Sequence, residues 1–206
     1  MIVGVEGTLL EGLTSPIVAR SGWGAEPPVD WPVERAPVRA VVVHHTATRE
    51  SDGDLLDVVR RVQRFHAHDR GWGDIGYSLV ILRDGRVVEG RAGTLASPAP
   101  TIAQAAHALS HNVGTVGVAV AGRYHDGRPS SAAWDALVDV VATIGRNAGL
   151  DPMALGVALA NGRRLPAVVS GHRDACDTSC PGDGLASLLG ELRSAAAERL
   201  SGPGRG

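Results

Sequence analysis

Apolar residues fall in short runs along the chain, and their spacing changes from strand-like to helix-like and back. "RAVVVHH" (Arg39 to His45) is a β-branched run between a proline-rich lead-in and the polar "TATRESDGD". It reads as a buried strand, so His44 and His45 point to opposite faces. Leu55, Val58, Val59, Val62 and Phe65 then recur at helical spacing, with His66 continuing the stripe. Ser51 or Asp52 is the expected N-cap of that helix, and Gly71 its stop. "YSLVILRDGRVVEGR" sets two apolar runs around Asp84-Gly85, a hairpin signal that suits a type I′ turn. Ala92 to Ala106 has the proline and small-residue content of a loop. Thr115 to Gly122 reads as another strand and Ser131 to Gly149 as a helix closed by glycine. "LPAVVSGH" is a last strand that delivers His172, and a final helix spans about Gly184 to Leu200. Strands alternating with helices predict an α/β domain, and the hairpin makes its central β-sheet mixed, flanked by helices.

Composition narrows this picture. With 206 residues and 44% hydrophobic content, the chain can fill one globular core. The expected organisation is an N-terminal tail over 1–17, one domain over 18–200 and a flexible tail over 201–206. A formal charge of −2 gives no field to gather nucleic acid. No apolar run approaches the roughly 20 residues that span a bilayer, so membrane insertion is not expected. The opening "MIVGVEGTLLEGLTSP" lacks the basic and apolar regions of a secretory signal. All 20 basic residues are arginine, which excludes a catalytic or Schiff-base lysine.

The chemistry concentrates in "SGHRDACDTSCPG" (Ser170 to Gly182), which holds both cysteines of the chain. Zinc takes neutral imidazole and thiolate, and a catalytic site uses three protein ligands with a fourth position for water. His44 at the end of one strand, His172 at the end of another and Cys180 on the following loop would make such a set. Other readings stand beside it. A lone buried cysteine usually packs as a small hydrophobe, and a histidine beside an apolar run as a satisfied core residue. Cys176 and Cys180 could also pair as a redox disulfide that binds no metal.

"VARSGWGA", "VVVHHTAT", "QRFHAHDRGWGDIGYSLVI", "DGRVVEGR", "AAHALSHNVGTVGVAV" and "SGHRDACDTSCPGD" occur in the order seen in the peptidoglycan recognition protein family, whose catalytic members resemble type 2 N-acetylmuramoyl-L-alanine amidases. The likeness runs from about Val18 to Leu185 and leans toward the bacterial, actinobacterial-like branch. It implies the peptidoglycan recognition protein/amidase type 2 fold, and it implies that His44, His172 and Cys180 bind zinc. The activity implied is hydrolysis of the amide between N-acetylmuramic acid and the L-alanine of the stem peptide. The alternative within the same fold is a module that binds peptidoglycan without cutting it. Such relatives typically lack the cysteine.

Amide hydrolysis also needs groups to orient the attacking water and to hold the developing oxyanion. Tyr77, matching the tyrosine of the family's "DIGY" motif, and Thr178, two residues before Cys180, are the catalytic candidates. A packed strand tyrosine and a loop threonine bonded to nearby backbone are the plain alternatives. The resemblance further implies a substrate groove with Thr46, His66 and Arg70 on it, and with His107 lining it. Gly71, Trp72 and Arg91 match positions found in relatives that prefer diaminopimelic acid over lysine in the stem. Arginine suits the extra carboxylate because its planar fork donates two parallel hydrogen bonds. Trp23 is expected as a packing anchor, His45 as structural, and His68, His111 and His125 as surface residues. The chain is expected to act as a monomer, extracellularly or in the cell wall, where such a substrate lies.

Overall fold

The computed structural model describes residues 7–29, 33–49 and 53–202. In chain order its strands are β1 (Ile17–Val18), β2 (Arg35–Pro37), β3 (Ala40–His45), β4 (Leu79–Ile81), β5 (Val87–Glu89), β6 (Thr101–Ala103), β7 (Thr115–Val120), β8 (Leu155–Ala158), β9 (Arg164–Ala167) and β10 (Val169–Gly171). The helices are α1 (Arg20–Trp23), α2 (Leu56–Arg64), α3 (Ser131–Ala148), α4 (His172–Ala175), α5 (Asp183–Ser187) and α6 (Leu189–Ser201). Six strands form the central mixed sheet in the order β1-β5-β4-β7-β3-β10. Only β4 and β5 pair antiparallel; the other neighbours run parallel.

The sheet has two buried faces, and residue parity decides which one a side chain meets. Val41 and Val43 of β3, Leu79 and Ile81 of β4, and Val116, Val118 and Val120 of β7 pack with Leu137, Val141 and Ile144 of α3 and Leu192 of α6. Val80, Leu82 and Val88 face the other way, against Val59 and Val62 of α2 and the indole of Trp23. Trp23 is fully buried and donates its ring N–H to Glu89 O at 2.8 Å, so it is the expected anchor. Helix α3 has the expected ends: Ser130 Oγ accepts from Ala133 N at 3.2 Å, and Gly149 closes it in the left-handed region at φ 66°.

Several elements differ from the sequence expectation. Leu9 and Leu10 are buried in the core, and Leu9 N donates to Ser97 O at 2.9 Å, so the stretch expected as an N-terminal tail is partly packed. The β4–β5 connection is a three-residue loop, not a type I′ turn. Gly85 N donates to Leu82 O at 3.0 Å and Leu82 N to Arg86 O at 2.9 Å, with Gly85 alone in positive φ (86°). The proline-containing loop contains β6, held antiparallel to β2. "LPAVVSGH" splits between two sheets: β9 pairs with β8 in a separate ribbon, whereas β10 joins β3. The final helix breaks at Leu188, where an N–H to Leu185 O at 3.1 Å tightens the turn. Beyond Arg64, α2 continues as a wider π turn over Phe65–Asp69 to a C-cap at Arg70, with Gly71 in positive φ (66°) directly after it. Its expected N-cap, Ser51 or Asp52, lies outside the described residues.

Candidate functional site

The parallel half of the sheet delivers the site. His44 near the end of β3 and His172 directly after β10 emerge side by side, because the two strands are parallel neighbours. They lie at the carboxyl end of those strands, where open α/β sheets offer a crevice. The loop after α4 folds back to bring Cys180 to them. Arg173 N donates to Cys180 O at 2.9 Å, and the Arg173 guanidinium donates to Asp183 Oδ1 at 2.7 Å and Ser179 O at 2.6 Å. Asp174 closes the start of α4 by accepting from Gly171 N at 2.8 Å. The outcome is one ligand atom each from His44, His172 and Cys180, all within 4.8 Å of one another. Cys180 Sγ sits 3.7 Å from His44 Nδ1. No disulfide forms, and Cys176 instead turns its thiol to Leu109 O at 3.7 Å.

Electrostatics favour ligand-ready imidazoles. Burial, reinforced by His107 and His172, holds His44 well below the ordinary histidine value, and burial also lowers His172. Both are therefore neutral, the form that binds a metal. Burial pushes the Cys180 thiol up to about 11, against the opposing pull of His45 N–H and Arg173. A divalent cation would be the largest local charge and reverse that balance. Two imidazoles and one thiol fit the donor preference of zinc, with the side toward the groove left for water or substrate.

A groove of about 550 Å³ opens over the cluster, lined by His172 and Cys180 together with Thr46, Phe65, His66, Arg70, Tyr77 and Thr178. Tyr77 packs its ring 5.1 Å from that of His44 and 5.2 Å from that of His66, and its hydroxyl donates to His45 O at 3.4 Å. Burial, and secondarily Cys180, raises its pKa above the ordinary phenol value, so it stays a neutral donor. Thr178 Oγ1 accepts from Cys180 N at 3.2 Å while facing the groove. Thr46 Oγ1 accepts from Gly122 N at 2.9 Å. His66 Nδ1 accepts from Gly76 N at 3.0 Å, leaving Nε2–H as a donor; burial, with Arg70 and Arg91, lowers its pKa to about 4. Arg70 lies over the Phe65 and Trp72 rings, and Trp72 in turn packs on His66 at 4.8 Å. Gly71 is the exposed corner before it.

Three residues sit elsewhere than expected. His107 is buried behind His44, where its Nδ1 lies 3.0 Å from His44 Nε2, so it backs that ring and does not line the groove. Arg91 is 2% exposed, and its Nη1 donates to Trp72 O at 3.2 Å and Ile75 O at 3.3 Å. It is neither a solvated hairpin charge nor a lining residue; it holds the wall from behind. His111, expected at the surface, is buried. His45 points away from His44, as strand parity requires, and its Nδ1 accepts from Tyr124 N at 3.2 Å. Sequence reasoning also passed over Asp74 and Arg173. Asp74 is fully buried and gathers Arg20 at 3.0 Å, Gln63 at 2.9 Å, and the backbone N–H of Ile75 and Ala92. It thereby fixes the segment that carries Tyr77. Its signal was a carboxylate inside an otherwise apolar stretch.

With this geometry in view, the family model described as N-acetylmuramoyl-L-alanine amidase matches residues 34–183. The chain belongs to that family. A human N-acetylmuramoyl-L-alanine amidase is 35% identical over 175 residues, covering 82% of this chain and 27% of the human protein. Peptidoglycan-recognition protein LB of Drosophila melanogaster is 30% identical over 175 residues, covering 84% of this chain and 66% of that protein. The chain thus spans about a quarter of the human relative and just under two-thirds of the fly one. The solved structure of peptidoglycan recognition protein LE in complex with tracheal cytotoxin, a monomeric diaminopimelic acid-type peptidoglycan, superposes with a TM-score of 0.65 at 27% identity, covering 86% of this chain and 92% of that one. Among the described residues no helix is long and apolar enough to cross a membrane.

Proposed function

We propose that this chain is a zinc-dependent amidase that cuts the bond between the lactyl group of N-acetylmuramic acid and L-alanine in peptidoglycan. The observation that carries this reading is the triad of His44, His172 and Cys180, with ligand atoms within 4.8 Å of one another and with His172 and Cys180 lining the groove. Zinc bound there would acidify a water and polarise the scissile carbonyl. The chain's own residues supply the rest. Tyr77 holds a neutral O–H beside His44, on a long 3.4 Å bond that a substrate oxygen can outcompete. Thr178 offers a second hydroxyl at the rim, and His66 presents Nε2–H to the groove wall. Thr46, Arg70, Gly71 and Trp72 shape the stem-peptide side, with Arg91 bracing the Trp72 and Ile75 carbonyls. We read the preferred stem as diaminopimelic-type, in line with the ligand of the LE protein. The site of action follows the substrate, outside the cytoplasmic membrane.

A peptidoglycan-binding module without catalysis is the competing reading, and Cys180 speaks against it because it completes a three-ligand set. The deciding experiment measures zinc stoichiometry of the reduced protein and, by mass spectrometry, release of free stem peptide from defined muropeptides. One equivalent of zinc with stem-peptide release is expected. Binding of muropeptide without zinc and without release would establish the binding module instead.

A further inference from the structure

Behind His44 runs a chain of hydrogen bonds that the groove does not reach. His44 Nε2 lies 3.0 Å from His107 Nδ1, and His107 Nε2 lies 3.1 Å from Thr115 Oγ1. Thr115 Oγ1 in turn meets the carbonyl oxygen of His111 in a short contact, and that of Asn112 at 3.2 Å. The last link sets the direction of the others. A carbonyl can only accept, so the single hydroxyl proton of Thr115 goes to the carbonyls and its lone pair accepts from His107 Nε2–H. His107 then has its proton on Nε2, leaving Nδ1 as acceptor. His44 must therefore donate from Nε2, which leaves its Nδ1 lone pair bare and turned to Cys180 Sγ at 3.7 Å.

A second, independent feature preserves the arrangement. Gly117 sits mid-strand in β7, between fully buried Val116 and Val118. A Cβ added there would lie 2.4 Å from His107 Cγ and Cδ2, so the strand leaves out a side chain where the imidazole lies flat against it. Glycine weakens a strand interior, and its presence here marks a close approach.

We infer that His107 is a positioning residue: with Thr115 it locks His44 in the Nε2–H tautomer, which presents Nδ1 as a preformed metal ligand. This rests on the zinc reading of the triad, and it concerns groups that touch neither substrate nor metal. Outer partners of this kind are worth about 10- to 100-fold in metal affinity.

Two measurements test it. The first is the tautomer of His44 in the metal-free protein, read from two-bond proton–nitrogen NMR correlations of the imidazole. The second is zinc affinity by competition with a chromophoric chelator, alongside thermal unfolding. The Nε2–H form is expected for His44. His107→Phe should bind zinc 10- to 100-fold more weakly while His107→Asn, whose Oδ1 replaces the Nδ1 acceptor, recovers most of the loss. Thr115→Val should weaken zinc binding and Thr115→Ser restore it. Gly117→Ala should lose affinity as His107→Phe does. An Nδ1–H tautomer on His44, or wild-type zinc affinity in His107→Phe, overturns the proposal. If His107→Phe unfolds, the Asn variant and the Thr115 pair decide. Failure of the wild-type protein to bind zinc, with His44 nonetheless in the Nε2–H form, would sink the metal reading and leave the relay standing.

Discussion

At the residue scale, the two cysteines have different surroundings and should behave differently. Cys180 Sγ faces His44 Nδ1 and takes the His45 N–H, whereas Cys176 points to Leu109 O outside the triad. Cys180→Ser should lose at least about 100-fold in zinc affinity, because a hydroxyl is a far poorer ligand than a thiolate, while Cys176→Ser keeps most of it. Equal losses in a chelator competition would defeat the assignment. Tyr77→Phe removes one hydroxyl and leaves the ring packed on His44 and His66. It should retain zinc and melting temperature yet lower kcat roughly 100-fold, the scale for an oxyanion donor; an unchanged kcat would make Tyr77 a packing residue. Strand ends and donor chemistry are local properties, so the sequence could put His44, His172 and Cys180 forward as candidates, and the family resemblance favoured them over the packing and disulfide readings. The stations of Arg91 and His107 were not legible, because neither burial nor a partner 63 positions away in sequence leaves a local trace.

At the element scale, the long regular pieces and the β4–β5 hairpin were readable, whereas several other short strands were not. β3, β7 and α3 carry an unbroken buried run or an apolar stripe with caps, and these patterns repeat over several residues. β6, β8 and β9 have three or four residues each and exist only because a partner strand supplies their hydrogen bonds. One member of the α2 stripe, Phe65, departs from the core it was expected to join. His66 is buried, but Phe65, at the start of the π turn, is 44% exposed and faces the groove. The hairpin between β4 and β5 yields a prediction. Gly85 holds φ +86°, and a Cβ there would approach Ala132 O to 3.0 Å. Gly85→Ala should cost about 1–2 kcal/mol of stability, the penalty for a left-handed non-glycine residue, seen as a lower denaturant midpoint with zinc affinity unchanged. A midpoint equal to wild type would mean the loop relaxes freely.

At the scale of the whole molecule, burying histidines makes the fold acid-sensitive. His66 titrates at about 4 in the folded protein against an ordinary value near 6.5. Between those values the unfolded chain binds a proton that the folded one refuses, so stability is full above about pH 6.5 and falls as pH drops toward 4. The loss from His66 alone is about 3 kcal/mol. Melting temperature measured across that window should fall steeply, and His66→Asn, which keeps an acceptor for Gly76 N–H without titrating, should flatten the curve. An identical slope in the variant would remove His66 as a source. The sequence by itself determined the α/β class, the mixed sheet and the buried strand that carries His44, and it offered His44, His172 and Cys180 as one candidate donor set that the family resemblance favoured over packing and disulfide readings, because periodicity and ligand chemistry are properties of neighbouring residues. Only the tertiary structure decided that β3 and β10 lie side by side, that Cys180 folds back onto them, that Arg91 is walled in and that His107 stands behind His44. Each of these depends on which strands pair and which faces close over one another, and that free energy is shared among residues far apart in the chain.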